Sequence, residues 1–220
     1  PKTKKLNIGD ALDEADRHSA EGRLDLARGI YTAILKAQPS NIRANDGIKK
    51  LETSLYEEEN RIHELYLKGA NEKVEELCRR FIQRGGSSTV ITNLLGFCLH
   101  ARGRLTEAAD SFKQAIEINP GYADSYSNLA MTLYELGQVE EALSYCNQAI
   151  EKDPRHAGAH NIRGNCFRGV GDLKEAIKNY KKSTELNPKY VVPYSNLGNA
   201  LADEKNIEEA LEAFQKAIEL

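Results

Sequence analysis

The tetrapeptide Tyr-Ser-Asn-Leu stands twice in the chain, at Tyr126–Leu129 and Tyr194–Leu197, 68 residues apart, and that spacing constrains the fold more than any other feature. Halving the step to 34 residues brings the intervening segment into register. Leu95-Gly96, Leu129-Ala130, Arg163-Gly164 and Leu197-Gly198 then occupy one column, and Gly103, Gly137, Gly171 and Lys205 a second. Ala108, Ala142, Ala176 and Ala210 make a third, and Phe112, Cys146, Tyr180 and Phe214 a fourth, while Pro120, Pro154 and Pro188 close successive copies. A copy this short cannot bury its own apolar face, so the copies must stack.

Each column has a physical reading as part of a helix pair. Small residues at Gly96, Ala130, Gly164 and Gly198 on a first helix, and at Ala108, Ala142, Ala176 and Ala210 on a second, allow close approach, while Leu, Tyr and Phe fill the space between copies. The glycine near the middle suits the left-handed residue that ends the first helix. Glu107, Glu141, Glu175 and Glu209 fall in the first turn of the second helix, where the dipole favours an anion. Each proline ends the second helix and restarts the chain.

These columns resemble the tetratricopeptide repeat (TPR) family, whose pattern of an aromatic, Leu-Gly, a central Gly, Ala, a second aromatic and a final Pro they reproduce over residues 89–220. The resemblance implies an all-α fold, an α-solenoid of stacked antiparallel helix pairs wound into a right-handed TPR superhelix. Four regular repeats are expected at 89–122, 123–156, 157–190 and 191–220, the last incomplete.

Carried backward, the register finds a good copy from Ile8, with Ala15, Gly22, Ala27, Tyr31 and Pro39, and a degenerate one at 55–88, with Ile62, Gly69 and Phe81 but Val74 for Ala and Gly86 for Pro. Between them Ile42–Ser54 reads as an extra solitary helix, which makes 1–54 an N-terminal repeat plus that helix. The charged Glu57–Asn60 is expected to be the hinge between two stacks, and Gly85-Gly86-Ser87-Ser88 a shorter flexible place.

Composition narrows the function. With 30 basic against 33 acidic residues and a net charge of -3, nothing points to a counterion-driven grip on nucleic acid or on an anionic membrane. The Lys2–Lys5 cluster reads as a solvated terminus, and no apolar run approaches the roughly 18 residues that cross a bilayer. A soluble, cytoplasmic chain is expected, and its start at Pro1 and end at Leu220 suggest a piece of something longer. Cys78, Cys98, Cys146 and Cys166 form no CxxC pair and sit in apolar segments, as buried free thiols would. His156 and His160 stand four apart, but Pro154 makes His156 a helix-start residue rather than a ligand, so no metal and no cofactor are expected. No phosphate-binding GxxxxGK[ST], nucleophile elbow or paired catalytic carboxylates are present, so the chain is not expected to be an enzyme.

At 100° per residue, the fourth, seventh, eighth and eleventh positions of each first helix cluster on the interior side, and the second, fifth, sixth, ninth, twelfth and thirteenth on the opposite one. The resemblance implies that this opposite side lines a concave groove. It carries Asn93, Asn128, Asn161, Asn165, Asn196 and Asn199, with Phe97, Met131, Tyr134 and Arg168, and these are the candidate peptide-binding residues. Amides offer donors and an acceptor to any peptide backbone, and the row is similar to the asparagine ladder in the repeat arm of O-linked N-acetylglucosamine transferases. The second positions Val90, Asp124, Gly158 and Val192 are not basic, so the clamp by which some TPR proteins hold a chaperone's C-terminal carboxylate is absent. The expected function is a non-catalytic protein–protein interaction scaffold that binds an extended or helical peptide segment of a protein partner. The alternative, from the resemblance of its layout to the N-terminal arm of bacterial TPR-transferase proteins, is a substrate-presenting or dimerising arm of a sulfotransferase, glycosyltransferase or methyltransferase. The apolar edge at the C-terminus offers possible self-association.

Overall fold

The computed structural model describes residues 7–220, so the Lys2–Lys5 cluster lies outside the described residues. Twelve helices and no strands make up the described chain, which divides into two compact bodies, one up to Cys98 and one from Leu99 to Leu220. Each is an α-solenoid of stacked helix pairs.

The N-terminal body holds α1 (Ile8–Ala20), α2 (Leu24–Ala37), α3 (Ile42–Leu67) and α4 (Asn71–Gln83). The expected hinge at Glu57–Asn60 is absent: α3 is one unbroken helix of 26 residues, and the segment read as a solitary helix is its first half. The cause lies in the sequence, since no Gly or Pro interrupts 48–67 and the buried stripe of Leu51, Leu55, Glu58 and Ile62 runs straight through the charged stretch. Glu58 is buried and bonds Arg84 Nη1 at 3.0 and 3.3 Å.

Gly85-Gly86 also differs from expectation. Arg84 accepts the Leu24 N–H at 3.0 Å through its carbonyl, a Cβ on Gly85 would run into Asp25, and one on Gly86 would run into the Phe81 ring. Gly85 allows close approach of the turn to the start of α2, and Gly86 allows it to fold back on the Phe81 ring of α4.

α5 (Thr89–Ala101) carries the boundary between the bodies. The C-terminal body continues with α6 (Leu105–Ile118), α7 (Ala123–Glu135), α8 (Val139–Lys152), α9 (Ala157–Gly169), α10 (Leu173–Leu186), α11 (Val191–Asp203) and α12 (Ile207–Glu219). The pairs α7/α8, α9/α10 and α11/α12 pack internally, and each second helix packs on the next first helix. α5, α7, α9 and α11 begin 34 residues apart.

Within a pair, an aromatic ring of the second helix lies on a glycine of the first. A Cβ on Gly164 would sit 2.5 Å from the Tyr180 ring, and one on Gly198 2.6 Å from Phe214. Tyr31 covers Gly47 of α3 in the same way. In the 123–156 repeat the same columns hold Ala130 and Cys146, both fully buried, so a larger first-helix residue goes with a smaller second-helix one. First helices end on left-handed Gly22, Gly69, Gly103, Gly137 and Gly171, and at Lys205, where φ is 66°.

Two predictions follow from these contacts. Gly164→Ala forces the Tyr180 ring aside and lowers stability by about 1–3 kcal/mol in urea unfolding. Lys205→Gly removes the one described non-glycine residue at positive φ and raises stability by roughly 0.5–1 kcal/mol by the same measurement.

Candidate functional site

The interior face of α7 is buried at Tyr126, Leu129, Ala130 and Leu133, as the angular argument requires. Its opposite face leaves Asn128, Met131 and Tyr134 half-buried and Asp124 exposed. The same geometry in α9 and α11 turns their asparagines toward one another, because α9 packs on both α7 and α11.

Asn196 Nδ2 donates to Asn161 Oδ1 at 2.9 Å and to Asn165 Oδ1 at 3.2 Å. Asn165 Oδ1 also accepts from Tyr180 Oη at 2.8 Å, and Tyr180 is almost wholly buried. Burial pushes the Tyr180 phenol above its ordinary value, so it stays a donor. A chain of four side chains therefore joins α10, α9 and α11. Asn161 is buried, while Asn165 and Asn196 are half-buried, and the NH2 of Asn165 and the oxygen of Asn196 make no bond within the described residues. Asn199 is exposed and makes no side-chain hydrogen bond among the described residues.

A second row follows the twelfth and thirteenth positions of successive first helices. His100 Nε2 lies 3.1 Å from Glu135 Oε2, Tyr134 lies against Gly169, and Arg168 places Nε and Nη2 at 3.0 and 2.8 Å from Asp203 Oδ2. Arg168, one of the candidate peptide-binding residues, is thus held by an aspartate of the next repeat. At the other end of the face, His156 caps α9 by accepting the Ala159 N–H at 3.0 Å on Nδ1 and contacts Asp124 at 2.8 Å through Nε2. The His156 ring and the Tyr122 hydroxyl hold the Asp124 carboxyl below its usual range. His156 and His160 do not converge, since His160 turns Nε2 to the Pro154 carbonyl at 3.4 Å.

Asn93 and Phe97 belong to the N-terminal body. Asn93 is buried and donates to the Thr89 carbonyl at 2.9 Å, and Phe97 stacks on Tyr66 with centroids 6.2 Å apart. The structure thus brings together Asn161, Asn165 and Asn196, with Tyr180 and Asp203 as partners that the sequence reading missed. Tyr180 lies in a column read as packing and Asp203 at a thirteenth position on the groove side, and only the fold shows what they reach. All four cysteines are free and buried. Among the described residues no group of three or more His, Cys, Asp or Glu could hold a metal ion, and no helix is long and apolar enough to cross a membrane.

Tetratricopeptide repeat models match residues 99–166 and 191–220, and a TPR repeat model matches 164–204, so that together they span all of 99–220, more than half of the chain. The chain belongs to the tetratricopeptide repeat family. Solved TPR structures share its fold. MamA from Desulfovibrio magneticus RS-1 is 19% identical with a TM-score of 0.62, over 76% of this chain and 94% of that one. PilF from Pseudomonas aeruginosa is 16% identical with a TM-score of 0.67, over 76% and 77%. YrrB, a TPR protein with an unusual peptide-binding site, is 23% identical with a TM-score of 0.55, over 86% and 91%. No curated protein sequence matches the chain.

In this TPR array the asparagines hold repeats together as well as facing outward, which changes what a mutation measures. Asn196→Ala removes the donor to Asn161 and Asn165 and lowers stability by about 1 kcal/mol, whereas Asn199→Ala stays within about 0.5 kcal/mol of the parent. Urea midpoints of the two variants check this; equal midpoints would show that the amide chain contributes nothing to stability.

Proposed function

We propose that this TPR chain is a non-catalytic protein–protein interaction scaffold whose C-terminal body binds an extended peptide segment along the first-helix face of α7, α9 and α11. The observation that carries the reading is the asparagine chain. Asn196 and Asn165 satisfy half of their capacity with one another and leave an oxygen and an NH2 for a ligand, which complements the N–H and C=O of a peptide backbone. Because the bonds within the array fix these amides in place, they lose little rotamer freedom when a ligand binds.

Met131 and Tyr134 supply half-buried apolar surface on the same side of α7, with Asn128 between them and Asp124, and Asn199 extends the amide row on α11. Arg168 contributes shape through its Asp203 pair rather than an unopposed charge. Asn93 and Phe97, in the other body, stay candidates for contact at their own site. YrrB's peptide-binding site lends support, since its fold is shared.

A phage-displayed peptide library panned against the 220-residue chain tests the reading. Enriched peptides are expected to lose affinity by about tenfold or more for Asn196→Ala/Asn199→Ala, kept folded as judged by circular dichroism, and to lose it also when their central backbone nitrogens are methylated. Peptides that bind parent and variant equally, or no enrichment at all, would sink the groove.

A further inference from the structure

The repeat at 157–190 departs from its neighbours on the interior side, where substitution is costly. At the seventh position of the first helix its neighbours place Leu95, Leu129 and Leu197, all buried, but this repeat places Arg163. At the fourth position Tyr126 and Tyr194 flank His160, and the second helix contributes Asn179, which is 1% exposed.

The flanking repeats explain what His160 does and what it leaves over. Tyr126 Oη donates to the Pro120 carbonyl at 3.0 Å and Tyr194 Oη to the Pro188 carbonyl at 3.3 Å. His160 makes the same contact with Pro154 through Nε2 at 3.4 Å, so Nε2 carries the hydrogen. A tyrosine ring has no second polar atom, but the imidazole does: Nδ1 is buried with no hydrogen-bond partner. His160 is 6% exposed, and burial, with Arg163 and Lys182 nearby, holds it below the ordinary histidine value against the opposing Pro154 carbonyl and Asn179 side chain, so the ring is neutral and Nδ1 is its acceptor. A buried acceptor without a donor is costly.

Arg163 is equally unfinished. Its Nε donates to Asn179 Oδ1 at 2.7 Å and its Nη1 to Asn147 Oδ1 at 3.1 Å, two neutral amides that fix the guanidinium plane without neutralising it. These residues reach α8 and α10, away from the asparagines that face α11. His160, Arg163, Asn179 and Ile177 line a pocket of about 580 Å³ whose rim is formed by lysines of α10. Lys178, Lys181 and Lys182 are paired with Glu175, Glu209 and Glu185 at 2.9, 2.8 and 3.1 Å. Arg163 and Lys174, by contrast, have no carboxylate partner among the described residues.

We propose that this pocket binds a phosphoryl group. Two uncompensated cations match a charge of about −1.5 to −2, and the open N–H groups of a fixed guanidinium suit phosphate oxygens. The Nδ1 acceptor selects among oxyanions. Inorganic phosphate keeps at least one P–O–H at neutral pH, and a phosphate ester keeps one in its monoanion, and that group can donate to Nδ1, whereas sulfate and carboxylates are fully deprotonated. Ile177 gives the carbon side of an ester an apolar wall.

The repeat pattern supplies variants that preserve the fold. Arg163→Leu restores the residue of the other repeats, and His160→Tyr restores the tyrosine that bonds the closing proline. Calorimetric titration of the whole chain with inorganic phosphate, phenyl phosphate and sulfate at matched ionic strength is the test. Saturable phosphate binding is expected, weakened by about tenfold or more in Arg163→Leu, kept folded as judged by circular dichroism. His160→Tyr should remove the preference for phosphate over sulfate. Tighter binding of phenyl phosphate would assign a phosphate ester and tighter binding of inorganic phosphate the free ion, either one supporting the site. No saturation up to about 10 mM phosphate, or binding unchanged in both variants, would overturn it.

Discussion

The rest of the array depends on one contact, the aromatic ring of a second helix packed against a glycine of the first. Where Tyr180 covers Gly164 and Phe214 covers Gly198, the helices approach closely enough that no methyl group fits between them. That approach fixes the rotation of α9 and α11 about their axes, and rotation decides which residues face the interior and which face a ligand. The asparagines of α9 and α11 meet because Gly164 and Gly198 are held in place behind them. The contact also reaches the site directly, since the Tyr180 ring packs on Gly164 while its hydroxyl bonds Asn165.

Much of this was legible in the sequence, because a repeat states its rules several times. The helix pairs, the turn glycines and the buried faces follow from columns that recur every 34 residues, and even Lys205 obeys the geometry its column demands. Legibility failed where a segment has no second copy to compare. Glu57–Asn60 looked like a joint because it is charged, but Glu and Asn without Gly or Pro do not break a helix, and Glu58 finds its counter-charge in Arg84, 26 residues on. Gly85-Gly86 looked flexible for the same lack of context. Glycine permits both motion and close packing, and only the neighbouring Asp25 and Phe81 decide between them.

The candidate site was legible as a face and not as a network. Angular position alone put Asn161, Asn165 and Asn196 on one side, but it could not say that they bond one another across 31 and 35 residues of chain. Amides that are already half-satisfied are better ligands than free ones, since their orientation is settled before a peptide arrives. They are also poorer mutational probes, because removing one alters both the scaffold and the surface.

A repeat protein makes its own exceptions visible, and that bears on how its two faces divide the work. Across the first helices the outward positions vary freely, as surface does, whereas at the seventh interior position Leu95, Leu129 and Leu197 surround Arg163, and at the fourth Tyr126 and Tyr194 flank His160. Arg163 and His160 cannot be explained by drift in solvent, because His160 is itself buried and the leucines on either side of Arg163 in its column are buried. Nor do they complete a self-contained polar core, since the Arg163 charge and His160 Nδ1 end without partners. A polar network half-satisfied within a well-packed array is less stable than the leucine and tyrosine it replaced, and a stacked repeat can carry that loss locally because each copy contacts only its neighbours. Sequence rules broken at one place in an otherwise consistent fold are where a ligand is expected to complete the structure.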